Sequence, residues 1–335
     1  MRTTSITALS SPKRNGCANV RAVAVDRFGE VGSIHELPVP VAGPDEILVR
    51  IRYVGCNPAD WKVRDGLRGE RRFPLILGSD FAGVVEAVGA GVTRFAPGDR
   101  VFGIASEHGT YAEYTVVPAP SATAAVVKTP AGLSDEHAAA LPVGSLTASG
   151  AVGRLDLPRG STLLVVGGTG GVGGFGVQIA HARGLHVIAT ARSGKEDIAR
   201  AYGADEVIAY DRADVVAAVR AAHPDRIDGV LHAANESDDV TVFAEILRPG
   251  GRLVSVVRAV HDRDWFAQRN IVAENFVMRQ TPTFSADGLG AIAAMIEART
   301  LSVRVEAVKP LAEGGPTLEE FKAGRLSGKV VLAVS

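Results

Sequence analysis

Val165-Val166-Gly167-Gly168-Thr169-Gly170-Gly171-Val172-Gly173 decides how this chain is read. The run contains Gly168-x-Gly170-x-x-Gly173 directly after the apolar stretch Ser161 to Val166 and at the start of a helical pattern. Glycines at that spacing permit a tight turn and let the backbone approach a pyrophosphate, whose charge then rests on a helix N-terminus. Thr169, Gly171 and Val172 complete the loop that would cradle it. A glycine-rich turn alone is a weak signal, but here Phe175, Gly176, Ile179 and Ala180 follow on one helical face, Gly184 stands as a C-cap, and a second strand arrives at His186. No Gly-Lys-Ser/Thr follows, so the loop is not a P-loop.

Downstream, Val207 to Tyr210, Gly229 to Ala233 and Arg252 to Val257 repeat the short apolar run, each separated by helical stretches. Buried strands alternating with helices predict an α/β, doubly wound parallel sheet, the Rossmann arrangement. Upstream, from Arg21 to about Leu141, the rhythm is short strands punctuated by turns such as Pro97-Gly98-Asp99, which predicts a small β-rich domain. Lys329 to Val334 forms a last apolar run, after a helix at Gly290 to Ala298, and could return to that first domain. The expected division is a tail at 1–19, a β-rich part at 20–143, a nucleotide-binding part at 144–275 and a return segment at 276–335.

Composition sets the limits of function. In 335 residues, 46% are apolar and 22% charged, with a net charge of −1, which offers no basic field to nucleic acid or an anionic membrane. No apolar run approaches the ~20 residues that span a bilayer. Two cysteines, Cys17 and Cys56, exclude a disulfide framework or a four-cysteine zinc lobe and fit a reducing, cytoplasmic setting. The Ser/Thr-rich start reads as a disordered tail or an early start codon, with a weak transit peptide as the other reading.

Past the second strand the chain runs Ala191-Arg192-Ser193-Gly194-Lys195, where an enzyme using NAD would place an acid against the ribose. Arg192, Ser193 and Lys195 suit the 2′-phosphate of NADPH instead.

Several ordered motifs then carry a resemblance. They are Gly55-Cys56-Asn57-Pro58-Ala59-Asp60, Leu77-Gly78-Ser79-Asp80-Phe81-Ala82-Gly83-Val84-Val85, Pro97-Gly98-Asp99-Arg100-Val101, Gly109-Thr110-Tyr111-Ala112-Glu113-Tyr114, Leu141-Pro142-Val143 with Leu146-Thr147-Ala148, and Gly328-Lys329-Val330-Val331-Leu332. From about Arg21 to its end, the chain resembles the medium-chain dehydrogenase/reductase superfamily in its quinone oxidoreductase, zeta-crystallin-like branch. The resemblance implies a GroES-like catalytic domain into which the Rossmann domain is inserted, with NADP in the cleft. It also implies that Asn57 and Thr147 lie near the nicotinamide and its ribose, and that Lys195 and Tyr210 grip the 2′-phosphate end. Where relatives commonly carry Asp-x-Val-Gly after the fourth strand, this chain has His232-Ala233-Ala234-Asn235; asparagine can occupy left-handed geometry almost as glycine does, and Asn235 is a cofactor-binding candidate at that place.

Zinc-dependent relatives place a cysteine where this chain has Asn57, and a His-Glu pair where it has Ser79-Asp80. Without three ligands from Cys, His and carboxylate, no catalytic metal site is expected. The eight histidines are scattered, and His108 and His137 read as surface or core residues. Without a Lewis acid, hydride transfer to a quinone or to an enone or enoyl double bond is expected in place of simple alcohol chemistry. A redox-inert NADPH-binding sensor or scaffold is the other reading. Lys62, Arg64 and Tyr53 are candidates to aid an enolate, and Trp61, Trp265 and Phe284 to shape the cleft. The expected partner set is a small-molecule substrate and a second copy of the chain. The homodimer is expected to join Rossmann sheets at Arg252 to Val257.

Overall fold

The computed structural model describes residues 19–105, 109–119 and 125–334. The expected tail, apart from Asn19, lies outside the described residues, as do Cys17 and His108. The chain opens with β1 (Asn19–Val25), β2 (Ser33–Pro38) and the long β3 (Glu46–Cys56). In β3, Ile47, Val49 and Ile51 point inward while Arg50 and Arg52 point out or lie at the rim, the two-residue period of a strand with one buried face. Helix α1 (Pro58–Arg64) follows, then β4 (Leu75–Ile76), β5 (Asp80–Val88), β6 (Arg100–Ile104), β7 (Tyr114–Pro118), β8 (Val126–Lys128) and α2 (Asp135–Ala139).

The rhythm then changes as the sequence predicts. Helix α3 (Pro142–Leu155) leads into β9 (Thr162–Val166), α4 (Gly173–Ala182), β10 (His186–Ala191), α5 (Glu196–Ala201) and β11 (Glu206–Ala209). Next come α6 (Val215–Ala222), β12 (Ile227–His232), β13 (Leu247–Ser255), α7 (Arg263–Ala267) and β14 (Val272–Asn275). These strands form one parallel sheet in the order β11-β10-β9-β12-β13-β14. Counted within the sheet this is 3-2-1-4-5-6, the doubly wound order, with its reversal between β9 and β12. Ligands bind such sheets beyond the carboxyl ends of the strands at that reversal, where the glycine loop stands.

One expectation is corrected here. The stretch Arg252 to Val257 is not an edge, because its strand β13 is flanked by β12 and β14. The edge on that side is β14, only 4 residues long, with Val272 exposed, and the other edge is β11. A strand that short carries no readable alternation.

The last segment contributes α8 (Ala286–Glu297), β15 (Val305–Pro310), α9 (Gly314–Lys322) and β16 (Lys329–Ala333). Strand β16 runs antiparallel to β3, with Val330 opposite Cys56, in the sheet ordered β15-β16-β3-β5-β6-β8. The α/β domain is therefore inserted into the β-rich, GroES-like one. Register also brings Lys329, one residue before Val330, beside Asn57, one residue after Cys56. One continuous core spans both parts, joining Ala82, Phe102 and Val331 to Leu163, Val165 and Phe175. Among the described residues no helix is long and apolar enough to cross a membrane.

Candidate active site

The glycine loop joins β9 to α4. Gly167 has φ +88°, and a Cβ there would stand 3.0 Å from the Ala233 carbonyl oxygen. A Cβ on Gly173 would lie 2.1 Å from the Gly167 carbonyl oxygen, so the turn closes only without side chains at these places. Thr190 fixes the loop from β10: its Oγ1 accepts the Gly167 N–H at 2.8 Å and its carbonyl accepts that of Gly168. A cleft opens over Thr169, Gly170 and Gly171, closed on its far side by Gly328 and Lys329 of the return segment. Val172 caps α4, so the helix N-terminus faces the loop. A glycine turn that opens onto a helix N-terminus is the arrangement that receives a pyrophosphate.

Below the loop lies a buried polar cluster that none of its motifs announces singly. Lys329 is 5% exposed, and its side chain passes beneath Gly171, where a Cβ would stand 3.2 Å from Cδ. Lys329 Nζ donates to Asn57 Oδ1 at 2.8 Å and lies 3.7 Å from Asp80 Oδ2. Asn57 Nδ2 donates to the same Asp80 oxygen at 2.9 Å, and the Val143 N–H donates to Asp80 Oδ1 at 3.0 Å. An ammonium only donates and a carboxylate only accepts, so these partners fix which way the Asn57 carboxamide faces. Behind it, Asp60 accepts from the Asn57 N–H at 2.9 Å, from Tyr111 Oη at 3.2 Å and from Ser79 Oγ at 3.3 Å.

Electrostatics follow from burial. Desolvation pushes the Asp60 carboxyl up to about 7, against the hydrogen bond it accepts from Asn57. Desolvation also pushes Asp80 up to about 6, with the Lys329 charge the main opposing influence. Burial pushes the Cys56 thiol up to about 12, which makes it a packing residue and not a nucleophile. Arg279 adds positive charge opposite both carboxylates and stacks 5.0 Å from the Phe284 ring.

The remaining expected site residues divide. Thr147 sits on α3 and returns its hydroxyl to the Val143 carbonyl at 2.6 Å. Arg192 is exposed at the end of β10, and Tyr210 is 52% exposed beside it, so Tyr210 is no core residue. Lys195 reaches Ser327 Oγ at 3.0 Å and Glu306 at 3.9 Å. Ser193 is a correction: its N–H and hydroxyl both donate to Asp211, at 2.8 and 2.5 Å. An acid therefore does stand at this loop, delivered from the end of β11, and the Ser193 bonds hold its carboxyl below the usual range. Asn235 does not use the left-handed geometry open to it. It is not among the residues with positive φ, and its N–H bonds to Asp238, which also holds the buried His232 at 2.9 Å.

Arg64 does not face the cleft. It is buried between Asp65 and Glu319. Lys62 reaches across the cleft to pair with Glu236 in the loop after β12. Trp265 packs against Arg269, 3.7 Å from its ring, and not at the cleft, while Trp61 lies under Lys322. His137 bonds Ser134 at the start of α2. Sequence reasoning missed Lys329, Asp60, Asp80, Tyr111 and Asp211 as parts of a site. Lys329, Asp60, Asp80 and Tyr111 each stand in one of the quoted motifs, which was the signal that could have flagged them; Asp211 stands in none.

Comparisons with known proteins agree with this architecture. Residues 43–131 match the alcohol dehydrogenase GroES-like domain, and residues 171–297 match the zinc-binding dehydrogenase family. The chain is 32% identical over 251 residues to the chloroplastic quinone-oxidoreductase QR1 of Triphysaria versicolor, covering 71% of this chain and 74% of that one. It is 33% identical over 257 residues to the enoyl reductase component of the lovastatin nonaketide synthase of Aspergillus terreus, covering 70% and 69%. The structure of a quinone oxidoreductase from Pseudomonas syringae superposes with a TM-score of 0.84 at 26% identity, over 94% of this chain and 100% of that one. The chain belongs to the medium-chain dehydrogenase/reductase superfamily, whose oxidoreductases work with a nicotinamide cofactor. Within it, the relatives it matches include quinone oxidoreductases and enoyl reductases, and the chain is an oxidoreductase of this superfamily.

Proposed function

We propose that this chain is an NADPH-dependent reductase that adds hydride to a quinone or to an activated carbon–carbon double bond without a metal. One observation carries the reading. Where zinc-dependent relatives would hold a divalent cation, Lys329 places an ammonium against Asn57 and Asp80. The residues at that point, an amide, two carboxylates and a fixed cation, do not converge as a metal-ligand set. Among the described residues the one His/Cys/Asp/Glu group with that convergence lies elsewhere.

When bound, the reduced nicotinamide supplies the hydride. The chain does the rest. Backbone N–H groups of the glycine loop and the N-terminus of α4 hold the pyrophosphate. Arg192 and Lys195 are the cations for the 2′-phosphate, and Asp211, kept ionised by the two Ser193 hydrogen bonds, is the opposing charge at this loop. Asn57, its carboxamide held by Lys329 and Asp80, is the residue that positions the acceptor or the nicotinamide ribose. Negative charge arriving on a conjugated oxygen is spread over the acceptor, so hydrogen bonds and the nearby ammonium suffice to stabilise it. Water entering the cleft supplies the proton. The cytoplasmic setting belongs to the same proposal and rests on the scarcity of cysteine.

The test is NADPH oxidation against a panel of quinones, enones and enoyl thioesters, with and without a chelator. Turnover indifferent to the chelator supports the reading. Loss of turnover on chelation, restored by zinc, overturns the metal-free mechanism. Tight NADPH binding with no turnover of any acceptor overturns the enzymatic reading in favour of a binding role.

A further inference from the structure

The opposite end of the Rossmann sheet carries a second cluster, which no expectation from sequence includes. His186 opens β10, Glu206 opens β11 and His223 is the C-cap of α6. In the parallel ladder Ile188 pairs with Glu206, so His186, two residues earlier, shares its face of the sheet. Helix α6 packs against β11 and brings His223 to the same point. His186 Nε2 lies 2.6 Å and His223 Nε2 2.9 Å from one atom, Glu206 Oε1. The two rings stand 5.9 Å apart at 56°.

We propose that His186, Glu206 and His223 bind a divalent transition-metal ion of the zinc class. Zinc takes imidazole nitrogen at about 2.0–2.1 Å and carboxylate oxygen at about 2.0–2.2 Å, so tetrahedral donors stand about 3.3 Å apart. The two contacts to Glu206 Oε1, 2.6 and 2.9 Å, need to open by about 0.7 and 0.4 Å to reach that spacing. Two imidazoles and a carboxylate favour zinc, cobalt, nickel or copper over magnesium and calcium, which prefer all-oxygen shells. Coordination through Nε2 leaves the proton on Nδ1. In His186 that atom lies 3.7 Å from Asp205 Oδ2, just beyond hydrogen-bond reach, so a small ring rotation would give it the carboxylate partner that orients a ligating imidazole. Asp205 itself is engaged by the Val187 N–H at 2.8 Å, so the fourth position is left to water. The side chains are 39%, 36% and 20% exposed for His186, Glu206 and His223, open enough for an ion to enter.

The site is structural in effect. Strand β10 separates it from the loop that starts at Arg192, a run of about 17 Å at strand rise. An ion here joins β10, β11 and α6 and takes no part in hydride transfer. This inference is independent of the proposed reaction, and a zinc ion recovered with the protein would not by itself argue for zinc catalysis.

The experiment is thermal denaturation of the full chain with zinc chloride or magnesium chloride, combined with elemental analysis after gel filtration. Three proteins are compared: the wild type, the double variant His186→Gln/His223→Gln, and His223→Gln alone, which keeps one ring should the double variant not fold. The expected result is one zinc per wild-type chain and a midpoint raised by several degrees at zinc about a hundredfold above the dissociation constant. Magnesium should have no effect, the variants should lose the stoichiometric zinc, and NADPH turnover should be the same in all three. Zinc retained at full stoichiometry in the variants overturns the assignment, as does a wild-type midpoint that ignores zinc or responds equally to magnesium.

Discussion

Replacing Lys329 with Met removes the one ammonium bonded to Asn57 and leaves the Asp80 carboxylate without its nearest cation. Both partners are buried, so water cannot take its place. Breaking a buried ion pair from one side costs about 3–5 kcal/mol, because the remaining charge stays desolvated. Here the cost should fall at the lower end, about 3 kcal/mol, for two reasons. Asp80 already sits at about 6 and, without the lysine, rises further and takes up a proton near neutrality. It also keeps the bonds from Asn57 Nδ2 and the Val143 N–H. The melting midpoint should therefore drop by several degrees. Catalysis should suffer separately: with Oδ1 unheld, the Asn57 carboxamide can turn, and misplacing a positioning group by about 1 Å costs about a hundredfold in kcat. The assays are thermal melts and steady-state kinetics on Lys329→Met, Lys329→Arg, Asp80→Asn and the double variant Lys329→Met/Asp80→Asn. The double variant should recover most of the lost stability, since no orphan charge remains, but not kcat. Lys329→Arg should recover part of kcat. A coupling near zero between the two positions, or a folded Lys329→Met enzyme with wild-type kcat, would refute the reasoning.

Three further outcomes are expected. Arg192→Ala or Lys195→Ala should raise the KM for NADPH by about one to two decades, the loss of one charge-assisted bond, and leave NADH and kcat nearly unchanged; equal losses for both cofactors in steady-state assays would assign these residues to loop shape. Asp60 has its folded pKa raised to about 7 from an ordinary carboxylate value, so its contribution to stability is full below pH 4 and is lost as pH rises through 7. Asp60→Asn should flatten the fall in melting midpoint between pH 4 and 7, and an unchanged slope would move the effect to other groups. The homodimer, proposed on resemblance, should now use β14, where Val272 is exposed. Val272→Lys should shift sedimentation toward monomer, whereas a wild-type monomer at micromolar concentration removes the dimer altogether.

The sequence by itself determined the fold, because fold is written in local, periodic signals. The glycine run after Ser161 to Val166, the alternation of strands with helices, and the return of Lys329 to Val334 each depend on neighbours in the chain. The nucleotide loop was legible for the same reason: Gly167 and Gly173 are required by a turn made of consecutive residues. The buried polar cluster was not, because its members come from Asn57, Asp60, Asp80, Tyr111 and Lys329, and only the pairing of β16 with β3 puts Lys329 on Asn57. A lysine in a short motif looks the same in sequence whether it is solvated or buried under a glycine loop. Tertiary structure also decided three local readings. Asp211 arrives at Ser193 from the next strand, Asn235 takes ordinary backbone geometry, and a four-residue strand displaces Arg252 to Val257 from the edge. Two of the scattered histidines, His186 and His223, meet at Glu206 for the same reason. Side-chain chemistry between distant segments is set by strand order and register, and these become definite only when the whole sheet is assembled.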